Sequence, residues 1–281
     1  MANSKDNRNI VVLDMGINGL SVLNLLKKEL SEETIVYLND LEVDNYEGKE
    51  ISEIEYKIKV LIERLKKYNP KLLIIVNDTL IEYGRELFEE LDVKKVYIVD
   101  EIIDYVNENY ELKNMAFFAP QGIIESNMYQ KNFKYTRLYN LNADNMMNSL
   151  NNALMKTSTS FNEMKLALLP VYKKELDVII PTLPNLLLFQ TEVYEYVKAK
   201  DIDIIPLDKI IVNKAKKVLN ELEFEINEKV KGIVLKQVNL VLKNSDELKL
   251  NLFKKYVIKK NSNLEKKLNK ILSINYQIVV E

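Results

Sequence analysis

The chain contains no cysteine, no histidine and no tryptophan, and only six glycines among 281 residues. These absences remove thiol nucleophiles, Ser-His-Asp triads, imidazole bases, zinc sites built on His or Cys, iron–sulfur clusters and disulfides. A chain without thiols tolerates either redox poise, so cysteine usage says nothing about compartment. No glycine-rich phosphate-cradling motif occurs. Long apolar runs are also missing. The N-terminal Met1-Ala2-Asn3-Ser4-Lys5-Asp6 has no apolar core, and runs such as Leu72 to Val76 fall far short of the roughly 18 apolar residues that a membrane span needs. A cytoplasmic protein without membrane association is the expectation. Forty basic residues stand against forty-two acidic ones. With a net charge of −2 there is no global positive field to draw nucleic acid or an anionic bilayer.

What is present suits a globular chain: 47% hydrophobic and 29% charged residues over a length of about two domains. The recurrent pattern is a short β-branched apolar run, a turn, then apolar residues at helical spacing. Ile10-Val11-Val12-Leu13, Leu72 to Val76, Met115 to Phe118, Val178-Ile179-Ile180 and Ile204-Ile205 all read this way. Such runs are buried parallel strands with crossover helices on both faces, which makes the fold class α/β. Ligands in such sheets sit beyond the carboxyl ends of the strands, so the turns beginning at Asp14, Asn39, Asn77, Ala119, Pro181 and Pro206 are where chemistry is expected. Asp78 or Thr79 is expected to cap one helix and Asp208 another. Gly232 to Leu242 and Ile271 to Val280 read as strands, and Asp246 to Tyr256 as a helix. The Asn- and Ser-rich stretch from Asn140 to Asn162 is a candidate mobile or exposed segment. Seven lysines against one glutamate between residues 254 and 270 form a local basic patch, read as a solvated helix face because no Arg and only one aromatic residue, Tyr256, lie among them to engage phosphates and bases.

Taken in order, the turns resemble those of the glutamate racemase family, within the aspartate/glutamate racemase superfamily. The stretch Ile10-Val11-Val12-Leu13-Asp14-Met15-Gly16-Ile17-Asn18-Gly19-Leu20 is similar to the family's opening Phe-Asp-Ser-Gly-x-Gly-Gly-Leu. Tyr37-Leu38-Asn39-Asp40 and then Asn45-Tyr46-Glu47 sit where the family has Tyr-Phe-Gly-Asp and Pro-Tyr-Gly. Asn77-Asp78-Thr79 falls at its first Cys-Asn-Thr, and Pro181-Thr182-Leu183 at its Cys-Thr-His. The resemblance runs over residues 8 to 257.

It implies two pseudo-symmetric α/β domains with mainly parallel sheets flanked by helices and a cleft between them. Residues 1–97 plus 208–281 would form the first domain, with 258–281 as a C-terminal extension, and 98–207 an inserted second. It further implies cofactor-free racemisation by two cysteines on opposite faces of the α-carbon, in the service of cell-wall peptidoglycan. Here those two places fall on Asn77 and Pro181, the assisting His on Leu183, the Ser beside Asp14 on Met15, and a Thr after Phe118 on Ile123. Neither an amide nor a proline side chain relays a proton. Asp14, Met15, Tyr46, Asn77, Asp78, Thr79 and Thr182 are the candidate residues of a small-molecule cleft.

The acids are placed against a dicarboxylate substrate. Glu32 to Glu47 holds six acids and no base, and Asp78 stands where the family has Asn. Two like unit charges about 4 Å apart repel by about 1 kcal/mol in water and about 4 kcal/mol at an effective dielectric of 20. Four readings remain open: a racemase-like protein inactive in racemisation, with a binding, regulatory or structural role; an altered isomerase or lyase using Asp14 as a lone base, or Asp14, Asp78 and Glu47 as a Mg²⁺ site; a working glutamate racemase; and an unrelated parallel α/β protein. No resident cofactor is expected. A protein partner and a homodimer both remain open.

Overall fold

A computed structural model describes residues 8–15, 18–31, 33–39, 50–151, 154, 156–197, 201–226, 238–242 and 276–280. The candidate residues Tyr46 and Glu47, the expected helix from Asp246 to Tyr256 and the lysine-rich stretch lie outside them. In chain order the elements are β1 (Asn9–Asp14), α1 (Leu20–Glu29), β2 (Ile35–Asn39), α2 (Ile51–Lys66), β3 (Pro70–Ile75), α3 (Asp78–Glu89), β4 (Lys94–Tyr97), α4 (Ile98–Asn109), β5 (Lys113–Ala119), α5 (Gln121–Ser126) and β6 (Tyr135–Asn142). There follow α6 (Asp144–Asn151), α7 (Ser158–Leu168), β7 (Val178–Pro181), α8 (Gln190–Val197), β8 (Asp203–Ile204), α9 (Leu207–Ile226), β9 (Val238–Leu242) and β10 (Tyr276–Val280).

The strands form two sheets, six-stranded in the order β10-β9-β2-β1-β3-β4 and four-stranded in the order β6-β5-β7-β8. Every pairing is parallel. Burial on both faces explains the continuous apolar runs: Ile10 to Leu13, Leu72 to Val76 and Met115 to Ala119 are all at 0–2% exposure. The fold class is α/β, as the repeated strand–turn–helix units require.

Each sheet has a point where the strand order reverses. From β1 the chain moves outward to β2 on one side, and β3 and β4 build the other side. From β5 it moves to β6, and β7 and β8 lie opposite. At such switch points the connections leave in opposite directions and open a crevice beyond the carboxyl ends of the strands. One crevice is therefore framed by the ends of β1 and β3, the other by the ends of β5 and β7.

The structure corrects several local expectations. Asn77, not Asp78 or Thr79, is the N-cap of α3, its side-chain oxygen accepting from the Leu80 N–H at 2.9 Å. Asp208 lies in the first turn of α9 rather than capping it. Pro181 ends β7 instead of beginning the turn, and Ile123 is buried inside α5 rather than in the turn after Phe118. The described residues of 140–162 supply the end of β6, α6 and the start of α7; Leu141, Ala143, Met146 and Leu150 are buried while Asn140, Asn142 and residues 156–159 are exposed, so the stretch is exposed only in part. Strands β4 and β6 had no counterpart in the sequence reading.

Candidate functional site

Asp14 is the last residue of β1 and is fully buried. Its carboxylate accepts from the Met15 N–H at 2.7 Å, the Asn18 side-chain amide at 3.0 Å, the Gly19 N–H at 3.0 Å and the Tyr37 hydroxyl. Burial raises its pKa, and these four donors pull the other way. Tyr37 reaches Asp14 from the neighbouring strand β2, and its hydroxyl also accepts from the Gly19 N–H at 3.3 Å. Gly19 is required for space here: a Cβ would collide with the Val76 side chain and press on the Tyr37 ring.

Asp78, the first residue of α3, is likewise fully buried. One carboxylate oxygen accepts from the Thr79 N–H at 2.9 Å; the other accepts from the Thr182 hydroxyl at 3.1 Å. Thr182 follows β7, so this bond joins the two crevices directly. Burial pushes the Asp78 pKa from 3.8 up to about 7, against the pull of its hydrogen bonds, and the charge of Asp14 adds to the rise. A second bridge runs from the Asn185 amide to the Asn18 side-chain oxygen at 2.7 Å. The fully buried Tyr129 completes the cluster. Its ring stacks on Phe133 at 5.4 Å, and burial and the Asp78 charge push its phenol well above its usual value, while Thr182 beside it pulls down.

Asp14, Asp78 and Thr182 are thus brought together, and Asn77 and Met15 flank them. Thr79 is half-buried and contributes its backbone N–H. The side chains at the two proton-relay places carry no titratable group: the Asn77 oxygen is spent on capping α3, and Pro181 is a buried strand residue paired with Phe118. Leu183 is buried and apolar. Asn18, Tyr37, Tyr129 and Asn185 were not anticipated. The available signals were a tyrosine inside the buried run Val36-Tyr37-Leu38, whose hydroxyl must find a partner, and the Asn residues at short spacing after Asp14 and Thr182.

Asp14 is a poor cation ligand, since both its oxygens are already clothed in hydrogen-bond donors. Among the described residues, no group of three or more acids, histidines or cysteines is placed to hold a metal ion, and no helix is long and apolar enough to cross a membrane.

No protein-family model matches the chain. A glutamate racemase of Lactobacillus acidophilus is 24% identical over 211 residues, covering 73% of this chain and 79% of the relative. Glutamate racemase 2 of Caldanaerobacter subterraneus subsp. tengcongensis is 31% identical over 132 residues, covering 46% of this chain and 48% of the relative, about half its length. Among solved structures, glutamate racemase isoform RacE1 of Bacillus anthracis superposes with a TM-score of 0.79 at 18% identity, covering 99% of this chain and 98% of the other.

Proposed function

We propose that the chain is a member of the glutamate racemase family that is inactive in racemisation and acts by binding at the seam between its two sheets. One observation carries this reading: the places where two opposed proton relays would stand hold Asn77, engaged as a helix cap, and Pro181, buried in a strand. Inversion at carbon needs a base on one face and an acid on the other. Among the described residues, Asp78 has a pKa of about 7 at this seam, and its bond to Thr182 ties the two sides together.

The electrostatics support the same conclusion. Asp14 and Asp78 are both fully buried at the seam, and among the described residues no basic side chain is hydrogen-bonded to either. A glutamate side-chain carboxylate brought here meets like charge where the dielectric is low. The role is then that of a cofactor-free binding protein, regulatory or structural, for a small molecule or a protein partner, in a cytoplasmic setting.

A second reading is favoured by Asp78 itself. A buried carboxyl titrating at about 7 is suited to proton transfer near neutrality, and a single such group works on one face only. That chemistry is exchange, elimination or decarboxylation without inversion. Proton NMR in D₂O separates the readings. The inactive member leaves the α-proton of L- and D-glutamate at the rate of a protein-free control. Exchange that retains configuration and is lost in Asp78→Asn establishes the one-faced enzyme, and exchange accompanied by inversion overturns both readings.

A further inference from the structure

Sheet edges present unpaired N–H and C=O groups, and proteins blunt them with short strands, lysines, proline or bulges. In the six-stranded sheet, edge strand β4 is four residues long and carries Lys94 and Lys95. In the four-stranded sheet, edge strand β8 has two residues. The opposite edge, β6, differs. It runs for eight residues, Tyr-Thr-Arg-Leu-Tyr-Asn-Leu-Asn, with no proline, no glycine and a single charge, Arg137. A bulge at Thr136 interrupts only its beginning; from Arg137 to Asn142 it pairs regularly with β5. Among the described residues, its backbone makes no sheet pairing on the side away from β5.

An apolar shelf adjoins this edge. Leu166 at the end of α7 is 63% exposed, and in the 3-10 turn that packs beside β6 and the residue after it, Leu169 is 63% and Tyr172 54% exposed. Tyr135 at the start of the strand is 38% exposed. A free edge beside exposed leucine and tyrosine fits a β-strand partner that brings its own apolar side chains.

The strand's own charge distribution selects the occupant. Lys131 and Lys134 precede β6 and Asp144 follows it. A second copy of β6 laid antiparallel sets the lysine end of each strand beside the aspartate end of the other, whereas a parallel copy sets like charge against like. With the twofold axis at Leu138, Arg137 of each copy stands opposite Tyr139 of the other, a favourable cation–aromatic pair. Lys134, 61% exposed, already pairs with Glu111 at 3.3 Å, so its contribution is a shared one.

We propose that the free edge of β6 pairs antiparallel with β6 of a second copy of this chain, joining the two four-stranded sheets across a twofold axis. The contact is isologous, each copy presenting the same strand and the same shelf.

Sedimentation equilibrium of the full chain tests this together with two variants, and the natural absence of cysteine makes an introduced thiol unique. The unmodified protein is expected to be a concentration-dependent dimer. Leu138→Lys places two lysines together at the axis and is expected to give a folded monomer, with an unchanged circular dichroism spectrum. Leu138→Cys is expected to form a disulfide-linked dimer rapidly on mild oxidation, while a control thiol at Glu108→Cys on α4 does not. A monomeric unmodified protein at every attainable concentration overturns the proposal. So does a dimer that survives Leu138→Lys with the fold intact, or a dimer in which Leu138→Cys cross-links no faster than the control. Should Leu138→Lys fail to fold, the cross-linking result decides alone.

Discussion

At the scale of single residues, Asp78 concentrates the chemistry of the seam. Its carboxyl has given up hydration for one backbone N–H and one threonine hydroxyl, and burial outweighs both. With a pKa of about 7 folded against 3.8 as the ordinary value, the folded chain keeps a proton that the unfolded chain releases between those limits. The contribution of Asp78 to stability is therefore fully present below about pH 4, declines as pH rises towards 7, and is gone above it. Asp14, also raised by burial, acts in the same direction. Asp78→Asn keeps the shape and can donate to Thr182 while accepting from the Thr79 N–H. It is expected to stabilise the protein at pH 8 by about 1–3 kcal/mol and to flatten the decline between pH 4 and 7, read from urea denaturation across pH.

Much of this residue-level picture was legible in the sequence, and for a stated reason. Asp14 ends a buried strand and Asp78 and Thr182 follow one, at the place where parallel sheets gather their functional groups. Tyr37, Tyr129 and Asn185 were not legible, because their roles depend on which strands and turns become neighbours in space. Tyr129 in particular comes beside Asp78 and Thr182 from the turn between α5 and β6, its hydroxyl bonded to neither. Asn77 was read as a relay position without its capping role, since an Asn three residues before Leu80 signals a cap only once the start of the helix is fixed.

At the scale of elements, fully buried strands announced themselves and edge strands did not. β1, β3 and β5 carry runs of four or more apolar residues, and β7 a run of three, because helices cover both faces. β4 begins with two lysines, and β6 alternates polar residues on both faces, so neither stands out from the polar segments around it. The packing of α1 against this framework is tight at Gly19. Gly19→Ala forces a methyl into Val76 and displaces the N–H that serves Asp14. A loss of about 1–3 kcal/mol in urea unfolding is expected, with the m-value unchanged. Where β3 begins, Lys71 and Glu33 form an ion pair at 2.7 Å, with side chains only 6% and 10% exposed. Lys71→Met strands the glutamate and is expected to cost about 3–5 kcal/mol, while Lys71→Met with Glu33→Leu recovers most of it, because a well-packed apolar pair needs no desolvation. Thermal and urea unfolding of the two variants distinguishes these outcomes.

At the scale of the whole molecule, two parallel sheets turn their switch points towards each other and meet through buried hydrogen bonds, Asp78 to Thr182 and Asn185 to Asn18. The solved glutamate racemase of Bacillus anthracis shares this architecture with the chain. The general plan, repeated α/β units with ligand-facing turns, was readable from patterning alone. The juxtaposition of the turns was reached only through resemblance, since no local signal states that Asn18 and Asn185 will touch across 167 positions of sequence.

Stereoinversion requires two opposed proton relays, and in this chain no cysteine or histidine exists to supply either. Chiral chromatography of L-glutamate incubated with the purified full-length protein tests that claim most directly. D-Glutamate is expected to remain at the level of a protein-free control; its accumulation to many equivalents per protein molecule would contradict an inactive seam.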